Sequence, residues 1–151
     1  MNLMALARDQ LLRASDRFRD AQTAFSEDRL PDATRYSQEA LELALKATLR
    51  SLSVEVPKRH DVAPELSRVA GELPAWFVRE LPTLKRLSFD LAERRSLATY
   101  GDERTGRPAS ELFDDPTEVA RYLKQVGHAV GLARRLLRTP PRRRPGGPRR
   151  G

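Results

Sequence analysis

The sequence predicts an all-α fold, an up-and-down antiparallel four- to five-helix bundle. Three observations carry this expectation. Apolar residues recur at steps of three and four through several long segments. No segment shows the period-two alternation of a half-buried strand, and no internal repeat is visible. Proline and aspartate stand where helices begin, as in Asp115-Pro116.

The segment Arg35 to Leu52, RYSQEALELALKATLRSL, is the centre of the expected bundle. It has helix-forming composition and no internal Gly or Pro. At about 100° per residue, Arg35, Glu39, Glu42, Lys46 and Arg50 fall in one narrow charged stripe. Ala40, Leu41, Leu43, Ala44, Leu45, Ala47, Thr48 and Leu52 fill most of the remaining circumference. An apolar arc this wide has to be covered on more than one side, so the helix belongs inside a bundle. Ala33, Ala40, Ala44 and Ala47 let a neighbour come close. The spaced pairs Arg35/Glu39 and Glu42/Lys46 add only about 0.2–0.5 kcal/mol each, so the apolar arc decides where the helix sits.

Ahead of it, Met4, Ala7, Leu11, Ala14, Phe18, Ala21 and Phe25 mark an amphipathic helix that ends near Ser26–Asp28. Pro31 then opens the central helix at a position where a missing N–H costs nothing. The short link makes the two helices antiparallel. Val54, Glu55, Val56 and Pro57 end the central helix around Leu52–Ser53. Asp61 is expected to cap a short helix from Val62 to about Glu72. Pro74 interrupts it, Ala75–Leu81 is ambiguous, and Pro82 restarts a helix that runs to about Thr99. Leu84, Leu87, Leu91 and Ala98 line its apolar face. Trp76 and Phe77 read as core anchors at the end of the bundle, with base stacking as the functional alternative. Gly101–Arg107 is a polar loop. The last helix takes Asp115 as cap, Pro116 as first residue and Glu118 as the reciprocal partner of the cap. Val119, Leu123, Val126, Val130, Ala133 and Leu137 form its core stripe.

A chain of 151 residues suits one domain, expected over 1–138. Residues 139–151, TPPRRRPGGPRRG, are low-complexity, cannot bury a core and are expected to be disordered. The chain has no Cys, hence neither a disulfide framework nor a thiolate metal site. With two His, no zinc cluster is expected, and no residue pattern calls for a metal or cofactor. No apolar run approaches the ~20 residues of a membrane span. The stretch MNLMALARDQLL is too short in apolar residues for a secretory signal. A cytoplasmic protein is therefore expected. The net charge is +7, and subtracting the five arginines of residues 139–151 leaves +2 for residues 1–138. The body is only mildly basic, so the overall charge alone does not assign nucleic-acid binding to it.

The pattern Ser37-Gln38-Glu39-Ala40-x-Glu42-x-Ala44-x-Lys46-Ala47, followed by VPKRHD at Val56–Asp61, resembles the HEPN family of small prokaryotic helical proteins. The resemblance implies an all-helical fold and work on RNA or nucleotides. It also implies a homodimer, often paired with a small nucleotidyltransferase in toxin–antitoxin systems. Family members that cut RNA use an Arg and a His with four to six residues between them, in a site formed across the dimer. That chemistry needs no metal: a base activates the ribose 2′-OH and a cation stabilises the phosphorane.

In this chain Arg121 and His128 meet the spacing. They lie about two turns apart on one helix face, opposite the core stripe. Lys124 and Arg135 share that face, so a solvated basic surface explains it equally well. Nearer the preceding loop stand Arg94 and Arg95, in RRSLATYGD, which are candidate nucleotide- or RNA-binding residues; no His follows them, which points to a non-cleaving member. Lys58, Arg59 and His60 form a small basic cluster able to contact a phosphate, beside the structural reading in which His60 closes the turn. Tyr100 is the candidate for AMP transfer by a partner nucleotidyltransferase; a hydrogen-bonded tyrosine at a helix terminus is the structural reading. The Arg-rich tail would bind polyanions weakly and salt-dependently, and it has no aromatic residue to stack on bases.

Three functions remain open at this point. One is an RNA- or nucleotide-associated module without cleavage activity, another a metal-independent endoribonuclease using Arg121 and His128, and the third a helical scaffold. Leu49 and Leu132, apolar outside their helices' main stripes, hint at the dimer.

Overall fold

The computed structural model describes residues 3–139. The chain forms α1 (Leu3–Ser26), α2 (Leu30–Ser51), α3 (Ala63–Arg68), a 3₁₀ turn (Ala70–Glu72), α4 (Ala75–Val78), α5 (Leu81–Tyr100), α6 (Ala109–Leu112) and α7 (Pro116–Arg138). Among the described residues four long helices make the bundle and three short ones close its connections, more pieces than the sequence suggested. Among the described residues there is no strand, only an isolated bridge between Asp102 and Arg107. Among the described residues no helix is long and apolar enough to cross a membrane. The tail expected to be disordered lies, Thr139 apart, outside the described residues.

The central position of α2 follows from its residues. It packs against α1, α5 and α7. Leu41, Ala44, Leu45 and Leu49 are all at most 2 % exposed. Alanines bring α1 and α2 together: Ala7, Ala14, Ala21 and Ala24 on one, Ala33, Ala40, Ala44 and Ala47 on the other, all inaccessible to water. With no side chain beyond Cβ, they let the two helix backbones approach closely. Of the polar residues that α2 also buries, the Ser37 hydroxyl has no hydrogen-bond partner among the described residues, while two threonines are satisfied within the helix. The hydroxyls of Thr34 and Thr48 donate to the carbonyls of Leu30 and Ala44, each at 3.0 Å.

Both leading helices end in the same way. Asp28 and Ser53 adopt left-handed conformations, with φ of 60° and 58°. The N–H of Arg29 bonds the carbonyl of Ala24, and that of Val54 bonds the carbonyl of Leu49. These are Schellman closures, made here without the usual glycine.

Several local expectations need correction. Asp61 does not cap α3: the residue before that helix is Val62, which makes no side-chain cap. Asp61 Oδ1 instead accepts from Ser88 Oγ of α5 at 2.7 Å, which ties the VPKRHD turn to the bundle. Asp115 does cap α7, accepting from the Thr117 N–H at 2.9 Å. Glu118, however, does not reach back to the cap; its carboxylate accepts from the Tyr122 hydroxyl at 3.1 Å. Arg35 does not pair with Glu39, whose oxygens face Arg17 and Arg95; its guanidinium lies over the Tyr36 ring. Leu49 and Leu132 are both buried in the bundle and offer nothing to a partner.

Phe77 sits in the core. Trp76 is half-buried beside it, edge-on with ring centroids 5.8 Å apart. The Arg135 guanidinium covers the indole at 4.0 Å. That side of the ring is taken, which favours the anchoring role over base stacking.

Candidate functional site

The candidate residues fall into two places. The first is a polar seam where α2 meets α1, α5 and the turn after it. Glu42 is its hub. Its oxygens accept from Lys46 Nζ at 2.7 Å and Gln38 Nε2 at 2.9 Å, and His60 Nδ1 lies 2.9 Å away. Gln38 Oε1 in turn accepts from Arg95 at 2.6 Å. Arg95 also faces Glu39 at 3.7 Å, and Glu39 faces Arg17 at 3.3 Å. Burial pushes the Glu42 carboxyl up, but the hydrogen bonds from Lys46, Gln38 and His60, with the Lys46 charge, outweigh it and hold its pKa below the ordinary carboxylate value.

This seam therefore takes up Arg95 and His60 internally. Arg59 pairs with Glu65, leaving Lys58, exposed, as the free cation of the KRHD cluster among the described residues. Arg94 is held at the seam between α5 and α7. Its guanidinium is 3.5 Å from Glu118, donates to the Asp90 carbonyl at 3.2 Å and lies over the Tyr122 ring. Tyr122 is 3 % exposed. Burial raises its pKa, with the Glu118 charge and hydrogen bond in the same sense and Arg94 opposing. The phenol stays neutral.

The second place is a groove between α5 and α7. Both helices pack on α2 more closely than on each other, which leaves a cleft along their outer edges. Two adjoining hollows of about 380 and 370 Å³ share Thr83, Leu87, Arg121 and Gln125. Arg86 and Asp90 line one, Glu80, Lys124 and His128 the other. Arg121 also borders a third hollow at the start of α7. The expected pair is thus brought to one groove. The two residues are differently engaged: Arg121 lies over Tyr122 at 5.6 Å, while His128 Nε2 is 3.3 Å from Glu80. Among the described residues Arg86, Arg121 and Lys124 make no ion pair, so three cations face the groove without a carboxylate partner. Such an arrangement can hold a phosphate.

Sequence reasoning missed Glu80, Thr83, Arg86, Asp90 and Gln125. The spacing of Thr83, Arg86, Leu87 and Asp90, three and four apart, was the available signal, since it sets polar groups beside an apolar stripe. Tyr100 stands at the last position of α5, 73 % exposed and accessible to another protein. No cluster of His, Cys, Asp or Glu able to hold a metal ion occurs among the described residues.

Three long helices around an enclosed second one, with Arg86, Arg121 and Lys124 along an outer groove, define a small helical domain. The HEPN domain model matches residues 7–138, and the chain belongs to the HEPN domain family. Membership carries a nucleotide- or RNA-related function at the level of the family. Neither the curated proteins nor the solved structures compared with the chain give a significant match.

Proposed function

We propose that this HEPN domain is a nucleotide- or RNA-associated binding module without cleavage activity, acting as a homodimer in the cytoplasm beside a small nucleotidyltransferase. The observation that carries the reading is the α5/α7 groove, where Arg86, Arg121 and Lys124 line two adjoining hollows and form no ion pair among the described residues, with Asp90 lining one hollow and Glu80 the other. Arg121, which lines both hollows, is the anchor for a phosphate, and Asp90 in one hollow and Glu80 in the other accept from ribose or base donors, with Gln125 between. One further observation supports binding over cleavage. Glu80 stands 3.3 Å from the His128 Nε2 that a substrate hydroxyl would approach. Arg94 and Arg95 carry internal bonds and serve the fold before they serve a ligand. Phe89, 57 % exposed on α5 beside Arg86 and Asp90, is the apolar residue available to a dimer on this side. Tyr100 is the accessible acceptor for a nucleotidyltransferase.

The second reading, a metal-independent endoribonuclease of the toxin type, is favoured by one observation: Arg121 and His128 line the same groove. One experiment separates the two. Purified protein is incubated with total RNA in chelator, and nucleotide or RNA binding is measured in parallel. The binding reading expects no cleavage and a loss of affinity in Arg121→Ala and Lys124→Ala. Cleavage abolished by both Arg121→Ala and His128→Ala would establish the nuclease instead. Sedimentation of the same samples tests the dimer.

A further inference from the structure

A second groove lies on the opposite side of α7, against α1. It encloses about 690 Å³. Its floor is apolar, made by Leu11, Leu12, Phe18, Val130 and Leu137. Its rim is Arg8, Arg19, Arg134 and Arg138, with no acidic residue among the lining groups. Leu12 is 67 % exposed and stands at the edge of this apolar floor. The floor is formed where Gly127 admits the Phe18 ring: a Cβ there would stand 2.8 Å from Phe18 Cζ. Arg134 is positioned by a 2.9 Å hydrogen bond to the Ser15 hydroxyl, and Arg19 pairs with Asp16. Arg8 and Arg138 make no ion pair among the described residues.

We propose that this groove receives a helix of a partner protein, apolar along one face and acidic along its flanks. Concavity and charge both select that occupant. From Arg8 to Arg19 the groove runs about 16 Å, the length of three helical turns, and a helix docks into such a trough through apolar residues at i, i+3, i+4 and i+7. The four arginines then meet glutamates or aspartates on its two sides. The chain's own residues 139–151 are excluded by sign, since they carry five arginines and no acid. A second copy laid on the same face would set these arginines against each other. RNA would satisfy the rim but leave the apolar floor uncovered. The proposal is independent of the α5/α7 groove.

The test uses the full chain and a fluorescein-labelled amphipathic helical peptide, leucines on one face and glutamates on both flanks, followed by anisotropy. Saturable binding that weakens as salt rises is expected. Affinity should fall about tenfold or more, a loss of about 1.4 kcal/mol, in Leu12→Glu and in the double variant Arg8→Glu/Arg138→Glu. It should be unchanged in Arg121→Ala. Both groove variants alter exposed side chains, so their melting temperatures should stay near that of the parent; if one fails to fold, the other decides. The proposal is overturned by absent binding, by equal binding of the peptide with lysine in place of glutamate, or by binding that both groove variants leave intact. It is also overturned if the protein is a dimer that Leu12→Glu dissociates, or if Leu12→Glu abolishes retention of RNA or anionic vesicles while the peptide goes unbound.

Discussion

Replacing Glu42 by Gln changes one atom and removes the charge on which the seam converges. The carboxylate is 14 % exposed and its partner Lys46 15 % exposed, so water screens the pair little. It serves three donors: Lys46, Gln38 and His60. A hydrogen bond to a charged group contributes about 1.5–3 kcal/mol and a neutral one about 0.5–1.5 kcal/mol, so each retained bond weakens by about 1 kcal/mol. The amide nitrogen also donates where an acceptor was needed, which costs one bond outright. The total is about 4 kcal/mol, or about 12 °C in melting temperature for a domain of this size. The pH dependence has a definite sign. The folded pKa of Glu42 is depressed, so its stabilisation is fully present above the unfolded carboxylate value and disappears as pH falls through the lower folded value. Urea denaturation of parent and Glu42→Gln at pH 7 and at successively lower pH measures this. The two stabilities should differ at pH 7 and converge in acid. Identical midpoints at pH 7, or a gap as wide in acid as at neutrality, would refute the reasoning.

Further outcomes follow from single positions. Leu45→Ala, at a site 1 % exposed in the centre of α2, should lower unfolding free energy by about 2–5 kcal/mol in denaturant titration. Ser53→Gly should raise it by about 0.5–1 kcal/mol, because glycine adopts the left-handed closure of α2 without a Cβ penalty. Gly101→Ala should be destabilising by calorimetry: at φ 75° a Cβ would stand 2.6 Å from the Arg107 carbonyl oxygen, against backbone that cannot step aside.

What could be read from the sequence was whatever depends on neighbours in the chain. The enclosed α2 followed from the breadth of its apolar arc, and the start of α7 from Asp115 and Pro116. The closing links escaped because their partners are far away in sequence. Asp61 has the chemistry of a cap, yet Ser88, twenty-seven positions on, claims it. Glu118 stands at the third position of a capping box, but the Tyr122 hydroxyl and Arg94 compete successfully for it. Arg94 and Arg95 looked like ligand contacts; only the packing of α5 against α2 and α7 shows that Gln38, Glu39 and Glu118 engage them. For Arg121 and His128 helical periodicity sufficed to put both on one face. The opposite wall of their groove, from Glu80 to Asp90, could not be read from α7 at all.

The most direct test is a titration of the isotopically labelled full chain with a ribonucleotide such as ADP, followed by amide chemical shifts. Saturating shifts clustered on residues 83–90 of α5 and 118–128 of α7, and absent in Arg121→Ala, are the expected result. Shifts confined to α1, α2 or the Arg-rich residues after Thr139, or identical shifts in Arg121→Ala, would contradict a phosphate site between α5 and α7.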